Sequence, residues 1–374
     1  MRLDPCTVPE AARRVGATEP EQAPCPAGLH CLLQPPPGAG TLQAARHGRS
    51  IPPPTHPGAP MPSTRYVHGP LVSSSDLDAH LSLFAAFGLV EIARRDHDER
   101  DCATLWGAPG HTATEVALAT PGTRYGARLV RFHPGSDVVV RDRNRGYDAD
   151  APKVIDFYAP DFAAARAAVE RAGFALKEPL AEYDLPEGHF VEGHVWGPDE
   201  VVCALLGGPA EFFAGFATVT DRTFSEPQSL SGPVSRLEPA VAFFEQAFGL
   251  RVVYRYGIDD DSFRRLVGSR KPQFSLRSVN VGLDAREPYF GLVHYGMPEG
   301  SYASLLGRAR PPHRGTLGAT IVVDDVDAVA ARVPAAGGAV LAAPTDAELA
   351  AFGPARCALL AAPNGGCYQV VATR

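Results

Sequence analysis

Several side chains in this 374-residue sequence are of types and in places that could do chemistry. Asp156 interrupts the apolar run Val154 to Tyr158. A carboxylate inside such a strand requires a partner or a cleft, unless the strand is an edge. Glu192 and His194 stand two apart in the run Phe190 to Trp196, so on a strand they share one face. They form an acid–base or ligand pair, or else a solvent-facing edge, with His189 close by. Arg128 and Arg131 fall in the run Ala127 to Phe132. A guanidinium there could grip a carboxylate or phosphate through two parallel hydrogen bonds, or stand as an exposed strand charge. Cys203 reads as a small apolar filler before it reads as a nucleophile. Cys25, His30 and Cys31 form a local group that is only weakly metal-like.

Composition narrows the classes. Hydrophobic residues make up 45 % and charged residues 21 %, enough apolar side chains for a real core. A formal net charge of −7 gives no pull toward nucleic acid or an anionic membrane, and no apolar run is long enough to span one. Seven cysteines without paired CxxC spacing read as reduced thiols, which with the missing signal core points to the cytoplasm. The Arg141–Arg145 cluster lacks interleaved aromatics and reads as a solvated linker.

Residues 1–62 hold 14 of the 36 prolines and no sustained periodicity, as expected of a disordered tail. Met61, just before the pattern begins, is a candidate natural start. From about residue 64 a β-α-β-β-β order appears and then recurs three times. Ser73-Ser74-Ser75-Asp76 caps a helix carrying Leu77, Leu81 and Phe84 on one face, and Gly88 stops it. Asp161 and Gly173 bracket the second helix, Gly249 ends the third, and Asp325 and Gly337 bracket the fourth. The landmarks repeat at nearly constant offset: Gly88 to Gly249 is 161, Asp161 to Asp325 is 164, and Pro198 to Pro363 is 165. The spacing predicts a duplicated two-module domain.

Four tandem βαβββ modules, helices ending in Phe87-Gly88-Leu89 and Phe248-Gly249-Leu250, and the turns Gly197-Pro198-Asp199-Glu200 and Pro363-Asn364-Gly365-Gly366 resemble the vicinal oxygen chelate superfamily. That superfamily includes glyoxalase I, extradiol dioxygenases and bleomycin-resistance proteins. The resemblance covers roughly residues 64–374. It implies an α+β fold of four modules paired into two glyoxalase-like domains, residues 63–214 and 215–374, after the tail. It also implies a cleft in each domain, with a divalent metal (Fe, Mn, Ni or Zn) held by His, Gln or Glu from first and last strands. Such an ion polarises two adjacent oxygens of the substrate.

Carried onto this sequence, the first-strand slot of module 1 falls on His68, as metal ligand or general base. The last strand of module 1 has Arg128 and Arg131 where the family has Glu, and an arginine cannot ligate a cation. Module 3 offers Gln228 or Ser229 and, in its last strand, His294. Module 4 offers Gly318 and Gln369. Gln228, His294 and Gln369 would form a neutral polar set in the second domain and, with His68, are the candidate metal ligands, although a set without a carboxylate holds a dication poorly. The resemblance implies a lyase, isomerase or oxygenase acting on a small oxygenated, optionally aromatic, substrate. His68, Asp156 and Glu192 would be catalytic, and Arg128, Arg131 and His294 would bind substrate. The alternative is a metal-free binding or sequestering protein of the same fold. No nucleic-acid or membrane partner is expected, and monomer and homodimer both remain open. Aromatics gather around module 3 (Phe212, Phe213, Phe216, Phe243, Phe244, Tyr254, Tyr256, Phe290 and Tyr295), as cleft lining or as packing.

Overall fold

Three of the four repeat helices begin where an apolar stripe follows an aspartate that satisfies the first free amides, whereas the helix from Leu237 follows Arg236, which makes no side-chain capping bond. In the computed structural model, which describes residues 64–141, 150–270, 274–296, 305 and 307–374, Asp76 accepts the amides of Asp78 and Ala79 at 3.1 and 3.2 Å. Asp161 and Asp325 do the same for Ala164 and Ala328. Gly249 closes its helix at φ 68°, a left-handed cap that a β-carbon would oppose. All described residues lie in the unit Ala59–Arg374. The tail, Met61 as a start, the Cys25–His30–Cys31 group and most of the Arg141–Arg145 cluster fall outside them. No described helix is long and apolar enough to cross a membrane.

Module 1 comprises β1 (Thr64–Ser73), α1 (Leu77–Ala86), β2 (Val90–His97), α2 (Glu99–Trp106), β3 (Thr112–Ala119) and β4 (Gly126–His133). Module 2 comprises β5 (Val154–Tyr158), α3 (Phe162–Arg171), β6 (Ala181–Leu185), β7 (Gly188–Trp196) and β8 (Val202–Gly207), and a short α4 (Ala210–Phe213) follows it. Module 3 has β9 (Ser229–Pro233), α5 (Leu237–Phe248), β10 (Arg251–Ile258), α6 (Asp261–Val267), β11 (Leu276–Gly282) and β12 (Tyr289–His294). Module 4 has β13 (Gly315–Val323), α7 (Val326–Arg332), β14 (Ala339–Leu349), β15 (Gly353–Ala361) and β16 (Cys367–Thr373). The fourfold βαβββ order is as the sequence predicts. Helices α2 and α6 are additions confined to modules 1 and 3.

The modules pair otherwise than chain order suggests. One eight-stranded sheet runs β14-β15-β16-β13-β1-β4-β3-β2 and the other β10-β11-β12-β9-β5-β8-β7-β6. Module 1 therefore joins module 4 through antiparallel β1 and β13, and module 2 joins module 3 through β5 and β9. The expected domains 63–214 and 215–374 do not correspond to these sheets. Every module offers the same first-strand edge, so the repeat alone leaves the choice of partner undetermined. The β5–β9 junction is extended beyond its ladder by Lys153 N–H donating to the Ser231 carbonyl (2.8 Å) and Gln228 N–H to the Asp156 carbonyl (2.8 Å). The duplication, which maps module 1 on 3 and 2 on 4, maps one sheet on the other.

One apolar cluster between sheets and helices draws on all four modules. It takes Leu83, Phe84 and Phe87 from module 1, Ile155 and Phe157 from module 2, Phe244 and Phe248 from module 3, and Ile321 and Val329 from module 4. Phe87 meets Phe157 with ring centroids 4.7 Å apart, and Phe244 stacks on Phe290 at 4.6 Å. Full burial of each such ring stabilises the fold by roughly 1.5–3 kcal/mol. This places Phe243, Phe244 and Phe290 in packing rather than in a cleft.

Candidate active site

The two sheets carry opposite fillings on their outer faces. In the sheet of modules 2 and 3, strand alternation turns Val154 and Asp156 of β5, Phe190, Glu192 and His194 of β7, and Ser229 and Ser231 of β9 to one side. Tyr254 and Tyr256 of β10, Asn280 of β11 and Tyr289 of β12 join them, with Phe212 and Phe213 of α4. They line a cleft that opens to solvent on one side. In the other sheet the equivalent space is occupied. There Arg128, Thr320 and Gln369 fill the face; at the duplication offset the positions in the open cleft are Gly291, Asp156 and Ala204. An added methyl group at Gly291 would already crowd Ser231. Small residues on two strands are what leave the cleft open.

The floor of the open cleft is polar. Ser231 Oγ donates to Asp156 Oδ2 at 2.7 Å, and Ser229 Oγ donates to the same oxygen. His194 Nε2 lies 2.8 Å from Glu192 Oε1, and Tyr183 OH donates to Glu192 Oε2 at 3.4 Å. Burial, reinforced by Glu192, pushes the Asp156 carboxyl up to about 7, against its serine bonds and Lys153. Burial likewise raises Glu192 to about 7. Lys153, only 3 % exposed, is lowered to about 7 by burial and then by the Arg141 cation. His194 is held neutral by burial; with Nε2–H donating to Glu192, its Nδ1 remains a buried acceptor without a protein partner. The cleft thus collects groups that give and take protons near neutrality, beneath aromatic walls.

The closed face is organised around a cation supplied by the chain. Arg128 donates from Nε to Glu115 Oε1 (2.7 Å) and from Nη1 to Thr320 Oγ1 (3.0 Å) and Gln369 Oε1. Its guanidinium also lies 5.5 Å from the Trp106 ring centroid and 5.6 Å from that of Phe352. Glu115 Oε2 lies 2.9 Å from His97 Nε2 and accepts the Ala350 amide at 3.2 Å. Burial alone would raise Glu115, but Arg128 and then His97 hold it at about 2. His68 sits alongside. Its Nδ1 lies 2.9 Å from the Arg124 carbonyl oxygen, its ring is edge-on to Phe352, and burial lowers it to about 4. Helix α2 completes the filling with Cys102, Leu105 and Trp106.

These placements correct several expectations. His68 and Gln369 lie in one sheet, and Gln228, His294, Asp156 and Glu192 in the other. Gln228, His294 and Gln369 therefore form no common set. Gln228 Nε2 donates to the Phe216 carbonyl at 2.7 Å, outside the cleft lining. His294 alternates away from the cleft that Val293 and Tyr295 line, and its Nδ1 accepts the Gly296 amide. Arg128 faces Glu115 rather than a free anion site, while Arg131 is exposed outside both faces. Cys203 belongs to the apolar core, and His189 is an exposed partner of Asp184. Asp156, Glu192 and His194 do come together, as do Phe212, Phe213, Tyr254, Tyr256 and Tyr295 of the aromatic group. Lys153, Ser231 and Glu115 escaped the sequence reading. Lys153 had a signal, since only three of the 35 basic residues are lysine.

A divalent metal does not fit this arrangement. The central position of the closed face holds a guanidinium. In the open cleft Asp156 is capped by two serines and Glu192 engages His194 beside Lys153. Among the described residues no three His, Cys, Asp or Glu side chains converge on a point where an ion could bind.

Residues 229–351 match the model of the Glyoxalase/Bleomycin resistance protein/Dioxygenase superfamily. No curated protein matches the chain. Among solved structures, glyoxalase I from Zea mays is 16 % identical, covers 82 % of this chain and 92 % of its own, and superposes with a TM-score of 0.54. A putative dioxygenase from Bacillus subtilis is 12 % identical, with coverage of 83 % and 86 % and a TM-score of 0.52. At these identities the likeness is one of fold.

Proposed function

From a chain with the vicinal oxygen chelate fold, whose residues 229–351 carry the superfamily's sequence pattern, we propose an enzyme that moves protons on a small oxygenated substrate with an aromatic or planar part. The site is the cleft between modules 2 and 3. One observation carries the reading: Lys153, Asp156 and Glu192, each poised near neutrality, meet in one aromatic-walled cleft. Glu192, oriented by His194, acts as the general acid or base. Asp156, fixed by Ser229 and Ser231, acts as its counterpart. Tyrosines at 183, 254, 256 and 289 hold the ring and its oxygens. Proton transfer of this kind opens lyase and isomerase reactions, and the donor set supports chemistry without a divalent ion. The closed face, with His68, Arg128 and Gln369, serves the fold.

Screening oxygenated aromatics by calorimetry and following each bound compound by NMR tests the proposal. Binding should survive dialysis against EDTA, and Glu192→Gln should slow turnover by ~10²-fold or more while keeping binding. A bound compound recovered unchanged after prolonged incubation favours the sequestering alternative, which the internally satisfied Asp156 and Glu192 also suit. Restoration of turnover by added metal alone would overturn the metal-independent mechanism.

A further inference from the structure

We propose that Lys153 is a covalent nucleophile, forming an imine with an aldehyde or ketone carbonyl of the molecule bound in this cleft. The inference rests on the cleft reading above and adds its substrate class, a planar aromatic carbonyl compound.

The choice of residue is the first argument. In a chain that uses arginine for almost every positive charge, the cleft has a lysine. Arginine stays protonated and cannot attack a carbonyl, whereas a buried lysine can present a free amine. The other described lysine, Lys177, donates to the Leu266 carbonyl at 2.7 Å and lines no part of this cleft. Position is the second argument. Lys153 immediately precedes β5, and its backbone amide is tied to Ser231 across the junction of modules 2 and 3. Its side chain is therefore presented from the junction of the two modules, next to Asp156 and Glu192. Burial and Arg141, as noted, favour the uncharged amine.

The neighbours complete the chemistry. The Nζ lone pair forms a bond to the carbonyl carbon as the π pair moves to oxygen, which takes a proton from the Glu192 carboxyl. The nitrogen then releases a proton to the Asp156 carboxylate. Asp156 returns that proton to the hydroxyl as the C–O bond breaks, so water leaves while the nitrogen lone pair closes the C=N bond, and the remaining N–H proton passes back to the Glu192 carboxylate. Amine and carbonyl give imine and water, with no oxidant or reductant required. Aromatic walls formed by Phe190, Phe212, Tyr254 and Tyr256 limit the return of water.

The test uses the full chain, 4-hydroxybenzaldehyde and sodium cyanoborohydride, with peptide mass mapping. Reductive trapping should place one 4-hydroxybenzyl group on Lys153 about tenfold or more faster than on Lys177, Lys271 or the amino terminus. The same ring without a carbonyl, 4-hydroxybenzyl alcohol, should bind and slow that labelling. Labelling no faster at Lys153 than at the other amines overturns the proposal. If the alcohol binds and the aldehyde is not trapped, the imine falls and the cleft reading stands; if neither binds, both fall. Lys153→Arg should lose the selective label, and wild-type mapping decides the matter even where that variant fails to fold.

Discussion

Two buried ionic clusters do opposite things to stability with pH. Glu192 carries a carboxyl raised to about 7 from 4.5, so its contribution is full below the unfolded value and lost as pH rises toward 7. Glu192→Gln should remove that loss. Between pH 4.5 and 7.5 its urea midpoint is expected to gain on the wild type by an equivalent of roughly 1–3 kcal/mol. An unchanged difference at the two pH values would contradict the burial argument. Glu115, depressed to about 2, behaves in the other sense. It stabilises above its unfolded value, and that stability is lost as pH falls toward 2. Arg128→Met would strand Glu115 in an apolar face and should cost about 3–5 kcal/mol, as read by thermal denaturation. Adding Glu115→Gln should recover much of that loss, because the unpaired charge is then gone.

At the scale of elements, periodicity located what local physics dictates. The strand Val154–Tyr158, the caps Asp76, Asp161 and Asp325, and the helix from Leu237 to Phe248 stand where the sequence places them. Helices α2 and α6 went unseen because they are short and their apolar residues face the partner module. Helix α2 packs on β14 and α6 on β6, so only the assembled sheet gives them a buried side. Gly318 marks another limit. The resemblance put it in a ligand slot, yet a β-carbon there would overlap the Cys367 carbonyl oxygen, so it is a spacing residue between β13 and β16. Gly318→Ala should destabilise the chain by ~1–3 kcal/mol or more. Amides of Tyr368 to Val370 should then exchange faster while those of β5 keep their protection. Equal acceleration in both sheets would argue against a local cause.

For the whole molecule, the shared core predicts cooperativity. Apolar residues from all four modules meet in one cluster, so neither sheet keeps its buried face without the other. Calorimetry of residues 64–374 should show one transition with calorimetric and van't Hoff enthalpies in agreement. Two resolved transitions would show that the sheets unfold independently. The same architecture lets one duplicated unit diverge: the closed face can spend its polar residues on an internal ion pair while the open cleft retains space for a ligand.

Sequence alone determined the α+β class, the four modules, their caps and the pairing of copies 1 with 3 and 2 with 4, since these follow from local periodicity and spacing. It also picked out Asp156, Glu192 and His194, because ionisable groups inside apolar strands announce a special environment. Which modules share a sheet, and hence which of those residues meet, was decided only in the tertiary structure. All four modules present interchangeable first-strand edges, and the selection among them depends on contacts between residues far apart in the chain.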